Sequence, residues 1–259
     1  MHIQVFSADQ QGVGAFDGGK FMEQRAISFP GEKTAVDRVG SLFYWAWGKA
    51  ADVAEIGMHP HKAFEIVTYV IEGLVEHRDS LGSLETVTNG GAQVIQAGSG
   101  VYHAEAFRTV GSEGMQIWFE PHLSETVKKP ATYNQYEHDR FPVRQHDGVT
   151  VKHVIGGDAP IQLDTDANMY DWSFEPGTSF TYSLDPKRQL AFLVIRGQGF
   201  SEATAAGKAP QALSHKDFVV VGPDNPAGET LQLKADSEQG LRIIAIEVPV
   251  DPGYALYRK

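Results

Sequence analysis

The feature that most restricts the fold is a strand–glycine–strand unit that occurs twice. In its first copy, Phe64-Glu65-Ile66-Val67-Thr68-Tyr69-Val70-Ile71 is β-branched or aromatic almost throughout. Glu72-Gly73 then reads as a tight turn and Leu74-Val75-Glu76-His77-Arg78-Asp79 as a returning strand, a hairpin. Residues 190–200 repeat the unit around Gly197, and residues 213–221 echo the run around Val94. The two halves read as a degenerate internal repeat. Short β segments joined by short turns favour a small antiparallel barrel or jelly roll in each half, and therefore an all-β fold.

The remaining segments fit that frame. Residues 1–40 mix short apolar pieces with glycine and charge, as edge strands and wrapping loops do. Ser41 to Trp47 is aromatic and strand-like, residues 48–57 read as a loop, and residues 50–54 could close a helical turn. Asn89-Gly90-Gly91 and Ala97-Gly98-Ser99-Gly100 are turn signals flanking a short strand at residues 92–95. Residues 128–147 are polar, charged and proline-containing, the expected connection between domains at 1–134 and 145–259.

Composition narrows the function. With 33 acidic against 22 basic residues the net charge is −11, and no Lys/Arg cluster interrupts it, so direct nucleic-acid binding is not expected. No apolar run approaches the ~20 residues that span a bilayer, and the first residues lack the pattern of a signal peptide. The chain has no cysteine, which removes disulfides, thiolate ligands and a cysteine nucleophile. A cytoplasmic protein independent of thiols is the expectation.

Two short motifs carry the chemistry. Met58-His59-Pro60-His61 and Tyr102-His103-Ala104-Glu105 each place two metal-ligand types at i and i+2, on one face of an extended strand. Three imidazoles and a carboxylate would give one divalent transition metal a mixed N/O shell with one or two positions open. Among ten histidines such pairs also arise by chance, so the residues alone admit surface or core-satisfied histidines equally well. The second half of the repeat holds neither motif. The affinity order of such a site favours copper or zinc and does not single out a metal.

At these residues the chain resembles the pirin family, bicupin proteins with two β-jelly-roll domains in tandem. The resemblance is carried by residues 59–73, by Glu76-His77-Arg78-Asp79-Ser80-Leu81-Gly82 and by residues 97–105; residues 116–118, 130–133 and 148–157 follow the family as well. Ala104 stands where the family usually has serine, and the C-terminal tail is shorter. The resemblance implies two tandem cupin domains, the N-terminal one binding a mononuclear metal, Fe(II), through His59, His61, His103 and Glu105. The C-terminal one is then a degenerate cupin without a metal site. It also implies a quercetin 2,3-dioxygenase-type reaction with O2 on a flavonol-like or enolic small molecule, with Glu105 as general base. Some pirins instead resemble non-catalytic, iron-dependent redox-sensing regulators that bind a protein partner, and the same ligands serve that role.

Other residues have a place near the same site. Glu65, four residues after His61, is expected at the edge of the core or as an orienting partner of a ligating histidine. His77 is expected to organise a turn. His2, His122, His138, His146, His153 and His215 carry no ligand spacing, and Phe43, Trp45, Trp47 and Trp118 are expected in the core, some near the metal. Two fused cupins can cover their own sheet faces, so a monomer is the default.

Overall fold

The computed structural model describes residues 1–203, 209–224, 229–236 and 238–259. The fold is all-β and bicupin, with two compact units. One comprises residues 11–140, 163–165 and 254–259; the other comprises residues 1–10, 141–162 and 166–253. The first ten residues thus belong with the second half of the chain: β1 (His2–Phe6) pairs with a strand at residues 218–222.

The first unit contains β2 (Gly12–Phe16), β3 (Phe21–Ile27), β4 (Leu42–Ala50), β5 (Ala54–His61), β6 (Glu65–Glu72) and β7 (Leu74–Asp79). It continues with β8 (Leu84–Thr88), β9 (Ala92–Gln96), β10 (Val101–Phe107), β11 (Glu113–Phe119) and β12 (Thr132–Tyr136). A seven-stranded sheet runs β12-β9-β6-β11-β4-β3-β2, and a four-stranded sheet runs β5-β10-β7-β8. The loop expected at residues 48–57 shrinks to a bend at residues 51–53, with no helical turn, because Lys49 and Gly48 pair with Glu113 and Gly114.

The expected hairpin at Gly73 does not form. β6 pairs with β9 and β11, whereas β7 pairs with β8 and β10, so Gly73 carries the chain from one sheet to the other. The reason is length: one residue between strands is too short for a hydrogen-bonded reversal, which takes at least two. Gly73 has φ 87°, and a Cβ there would lie 2.4 Å from Ser112 Oγ, so both conformation and space call for glycine.

The second unit repeats this plan. It contains β13 (Val143–His146), β14 (Val149–Ile155), β15 (Asn168–Phe174), β16 (Ser179–Leu184), β17 (Arg188–Gly197) and β18 (Gly199–Ala203). β19 (Gln211–Leu213), β20 (Phe218–Gly222), β21 (Glu229–Ala235) and β22 (Leu241–Pro249) complete it. Its sheets run β1-β20-β17-β22-β15-β14-β13 and β16-β21-β18-β19, and β17 and β18 part between sheets as β6 and β7 do. Its interior is packed with Trp172, Phe192, Leu231, Leu233 and Ile243, all fully buried. Each such side chain contributes roughly 1.5–3 kcal/mol of burial, and none offers a ligand. The polar stretch at 128–147 holds two edge strands, β12 and β13. An edge strand shows much of its surface to water, which is why no apolar alternation marked them.

Candidate metal centre

The site lies on the four-stranded sheet of the first unit. β5 is an edge strand, which tolerates Pro60 between the two histidines because its N–H side needs no partner strand. β5 and β10 run antiparallel with His59 opposite His103 and Pro60 opposite Tyr102. The i/i+2 spacing then turns His59, His61 and His103 to the same side. A register shift between His103 and Glu105 marks a bulge, which re-aims the side chains beyond it.

The three rings converge. His103 Nε2 is 2.9 Å from His59 Nε2 and 2.9 Å from His61 Nε2, and one ligand atom from each histidine lies within 4.8 Å of the others. Nitrogens about 2.1 Å from one metal ion and at right angles around it stand about 3.0 Å apart, so the spacing fits a shared cation. His59 Nδ1 is 2.7 Å from the Gly57 carbonyl, which can only accept, so Nδ1 is the donor there and Nε2 is the nitrogen turned to the other two rings. Burial and the neighbouring imidazoles push both His61 and His103 down to about 3, which keeps these rings neutral and able to ligate. His103 is fully buried, His61 nearly so, and His59 is partly open to solvent. Among the described residues this is the one cluster of three such ligand types, and it falls in the first unit.

Glu105, two residues beyond His103 on β10, is also almost fully buried. Its Oε1 accepts from Thr68 Oγ1 at 2.8 Å and Gln93 Nε2 at 2.6 Å, and its Oε2 accepts from Gln116 Nε2 at 2.6 Å. It does not belong to the tight group of three, although its charge acts on His61. With one of these donors on Oε2, that oxygen retains a lone pair. Glu105, Thr68, Gln116, Glu23 and Phe107 border a cavity of about 10 Å³, room for no more than a single water.

Other expectations shift. Glu65 orients no histidine: its oxygens accept from Gln96 Nε2 and from the amides of Asp164 and Thr165 at 2.6–2.9 Å, tying down residues 163–165. Trp118 stands edge-on to the His61 ring at 4.7 Å and joins Phe29, Tyr44 and Phe64, so one of the expected core aromatics does border the site. Trp47 instead donates to Glu113, and Trp45 contacts Met115 Sδ.

His77 is the residue that sequence reasoning misplaced. It sits within β7, fully buried, stacked on Tyr133 at 4.0 Å and 6°, and its neighbour on β10 in the ladder is Glu105. Its Nδ1 faces His103 Nδ1 at 3.5 Å and its Nε2 meets Asp79 Oδ2 at 2.9 Å. The turn is organised by Asp79, whose Oδ1 accepts from the amides of Leu81 and Ser83. Burial alone would raise the Asp79 carboxyl, but hydrogen bonds from His77, Ser83 and Leu81 outweigh it and hold it below the usual range. The signal was present, since His77 and Asp79 are themselves an i/i+2 pair on a strand.

A family model described as Pirin matches residues 37–119. The chain is 31% identical over 176 residues to quercetin 2,3-dioxygenase of Escherichia coli K12, covering 62% of this chain and 71% of that one. It is 30% identical over 194 residues to pirin-like protein 2 of Arabidopsis thaliana, 73% of this chain but only 59% of that relative's length. A bacterial pirin from Escherichia coli, solved in complex with nickel(II), superposes with TM-score 0.76 at 24% identity over 96% of this chain and 99% of that one. Quercetin 2,3-dioxygenase from Acinetobacter baumannii superposes with TM-score 0.79 at 19% identity over 99% and 82%. At these identities the two structures speak for the bicupin fold alone.

Proposed function

The chain belongs to the pirin family, and from that premise we propose a mononuclear metal protein with quercetin 2,3-dioxygenase-type activity on a flavonol-like or enolic small molecule and O2. The observation that carries the reading is the convergence of three imidazoles, with His103 Nε2 2.9 Å from both His59 Nε2 and His61 Nε2. A divalent cation seated among the three Nε2 atoms would take their lone pairs together.

The proposed ligands are His59, His61 and His103, with Glu105 as the fourth through the free lone pair of Oε2. A metal held there would supply Lewis acidity and a shared point of attachment for substrate and O2. Iron(II) is the ion we propose, following the family; the donor set suits other divalent transition metals as well. The metal-binding role belongs to the N-terminal cupin, while the C-terminal cupin, with its apolar interior, is a degenerate partner.

Glu105 is the proposed general base. Its carboxylate would take the proton of the substrate hydroxyl, and Thr68, Gln93 and Gln116 hold it in place for that transfer. The cavity of about 10 Å³ on the Glu105 side is too small for a flavonol, so the substrate would approach from the side of the partly exposed His59. Trp118, edge-on to His61, offers an aromatic surface at the metal.

The small cavity is also what favours a second reading, a non-catalytic iron-dependent regulator that senses redox state and binds a protein partner. Oxygen uptake by metal-loaded protein given quercetin separates the two. Glu105→Ala is expected to abolish uptake, and full activity in that variant would remove the base role.

A further inference from the structure

We infer that His77 and Asp79 form a directed hydrogen-bond relay that fixes the tautomer of His103, making them positioning residues for the metal site proposed above. The inference deepens that reading and rests on it for the identity of the site. The direction of the relay follows from which atoms can donate. Asp79 Oδ1 accepts from the amides of Leu81 and Ser83 at 2.9 and 3.0 Å. Its Oδ2 faces His77 Nε2 at 2.9 Å and can only accept, so the His77 proton is on Nε2. The other His77 nitrogen, Nδ1, faces His103 Nδ1, and the relay runs on through that contact with His103 as the donor.

At 3.5 Å this last contact is at the outer limit of hydrogen bonding, and with a cation seated among the three Nε2 atoms it is the arrangement of protons that leaves no clash. With its proton on Nδ1, His103 turns a bare Nε2 toward His59 and His61. His59 is set the same way by the Gly57 carbonyl. The 2.9 Å approach of His59 Nε2 and His103 Nε2 is therefore two acceptors facing each other, a gap that suits a cation. Ring stacking on Tyr133, itself bonded through Gln93 to Glu105, holds the plane of His77. Partners of this kind change metal affinity by about 10–100-fold in other sites.

The relay makes an unusual forecast, because it can be inverted as well as removed. In Asp79→Asn the amide oxygen must stay with the Leu81 and Ser83 amides, since the flipped amide would set donors against donors. Its NH2 then faces His77 Nε2, which must become an acceptor and send the His77 proton to Nδ1. Two donors would meet at the His103 contact, and His103 relieves this by moving its proton to Nε2, where it blocks the metal. His77→Phe keeps the ring on Tyr133 and simply deletes the relay.

The experiment uses the full chain and nickel(II) as the probe. Nickel affinity is measured by chelator competition, and the ring nitrogens of metal-free protein are assigned by 15N NMR. The expected losses are about 10-fold for His77→Phe and about 100-fold for Asp79→Asn, with His103 changing from the Nδ1–H to the Nε2–H form in the latter. In the double variant the extra loss from Asp79→Asn should vanish, because the amide has no ring to act through. An unchanged His103 tautomer in Asp79→Asn, or nickel binding no weaker than in His77→Phe, would overturn the relay. Wild-type protein that binds nickel and follows this order, yet consumes no oxygen with quercetin, would remove the proposed activity and sustain the relay. Wild-type protein that takes up no nickel would overturn both.

Discussion

Replacing Glu105 with Gln tests whether the heart of the site is built around a negative acceptor. Thr68 Oγ1 and Gln93 Nε2 donate to Oε1, and Gln116 Nε2 donates to Oε2. An amide at 105 must turn its own NH2 toward one of the two sides. Facing Gln116, it meets a donor that can flip only by giving up the bond from Trp118 Nε1 at 3.2 Å. Facing Thr68 and Gln93, it meets a hydroxyl that can rotate and an amide whose oxygen already accepts from Tyr133 at 3.3 Å. Every orientation strands at least one polar group in a site where Glu105 and Gln93 are almost fully buried. An unmade buried hydrogen bond costs about 1–3 kcal/mol, so about 2 kcal/mol is expected. With a urea slope of about 2.5 kcal/mol/M, the midpoint should fall by about 0.8 M. The assay is urea unfolding of metal-free protein followed by tryptophan fluorescence, since Trp45, Trp47 and Trp118 all lie in this unit. A midpoint unchanged within error would refute the donor assignment, and with it the claim that the surrounding amides were placed for a carboxylate.

Three further outcomes are expected. Alanine in place of His59, His61 or His103 should weaken nickel binding by more than about 100-fold in equilibrium dialysis, while the same change at His146, an exposed histidine of the other unit, should leave it unchanged. Gly73→Ala should lower the thermal midpoint, since it sets a Cβ 2.4 Å from Ser112 Oγ at φ 87°; about 2 kcal/mol is the scale of such strain, and a midpoint equal to wild type would contradict it. Metal-free protein should lose stability as pH falls. His61 and His103 stay neutral in the fold down to about 3, whereas unfolded histidines take protons below about 6.5, so the unfolded chain binds more protons throughout that window. Each group then costs about 1.4 kcal/mol per pH unit, read as a falling urea midpoint between pH 6.5 and 4, and a flat profile would argue against buried neutral rings.

The sequence carried the fold class because strand propensity and turn chemistry are local. Gly73 shows where locality ends: the turn was legible, but whether the chain reverses within a sheet or crosses to another depends on partners elsewhere in the chain. The edge strands β12 and β13 escaped notice because a strand open to water has no need for apolar alternation. The convergence of His59, His61 and His103 was legible because two short motifs on neighbouring strands define it. The bed of Glu105 was not, since Thr68, Gln93 and Gln116 come from three strands and none has a distinctive spacing. His77 and Asp79 have the spacing of a paired site on a strand, although the sequence alone suggests only a turn-organising role for His77. Only the register that sets Asp79 opposite His103, and His77 opposite Glu105, gives that pair its meaning.

Three imidazoles and Glu105 are proposed to hold one catalytic metal, and oxygen consumption is the test of that proposal. Protein loaded with iron(II), with bound metal counted, is given quercetin in an oxygen-electrode cell beside the His103→Ala variant. One iron per chain, oxygen uptake that depends on quercetin, and loss of both in the variant are expected. Protein that holds one iron and consumes no oxygen would contradict the catalytic reading and turn attention to a protein partner.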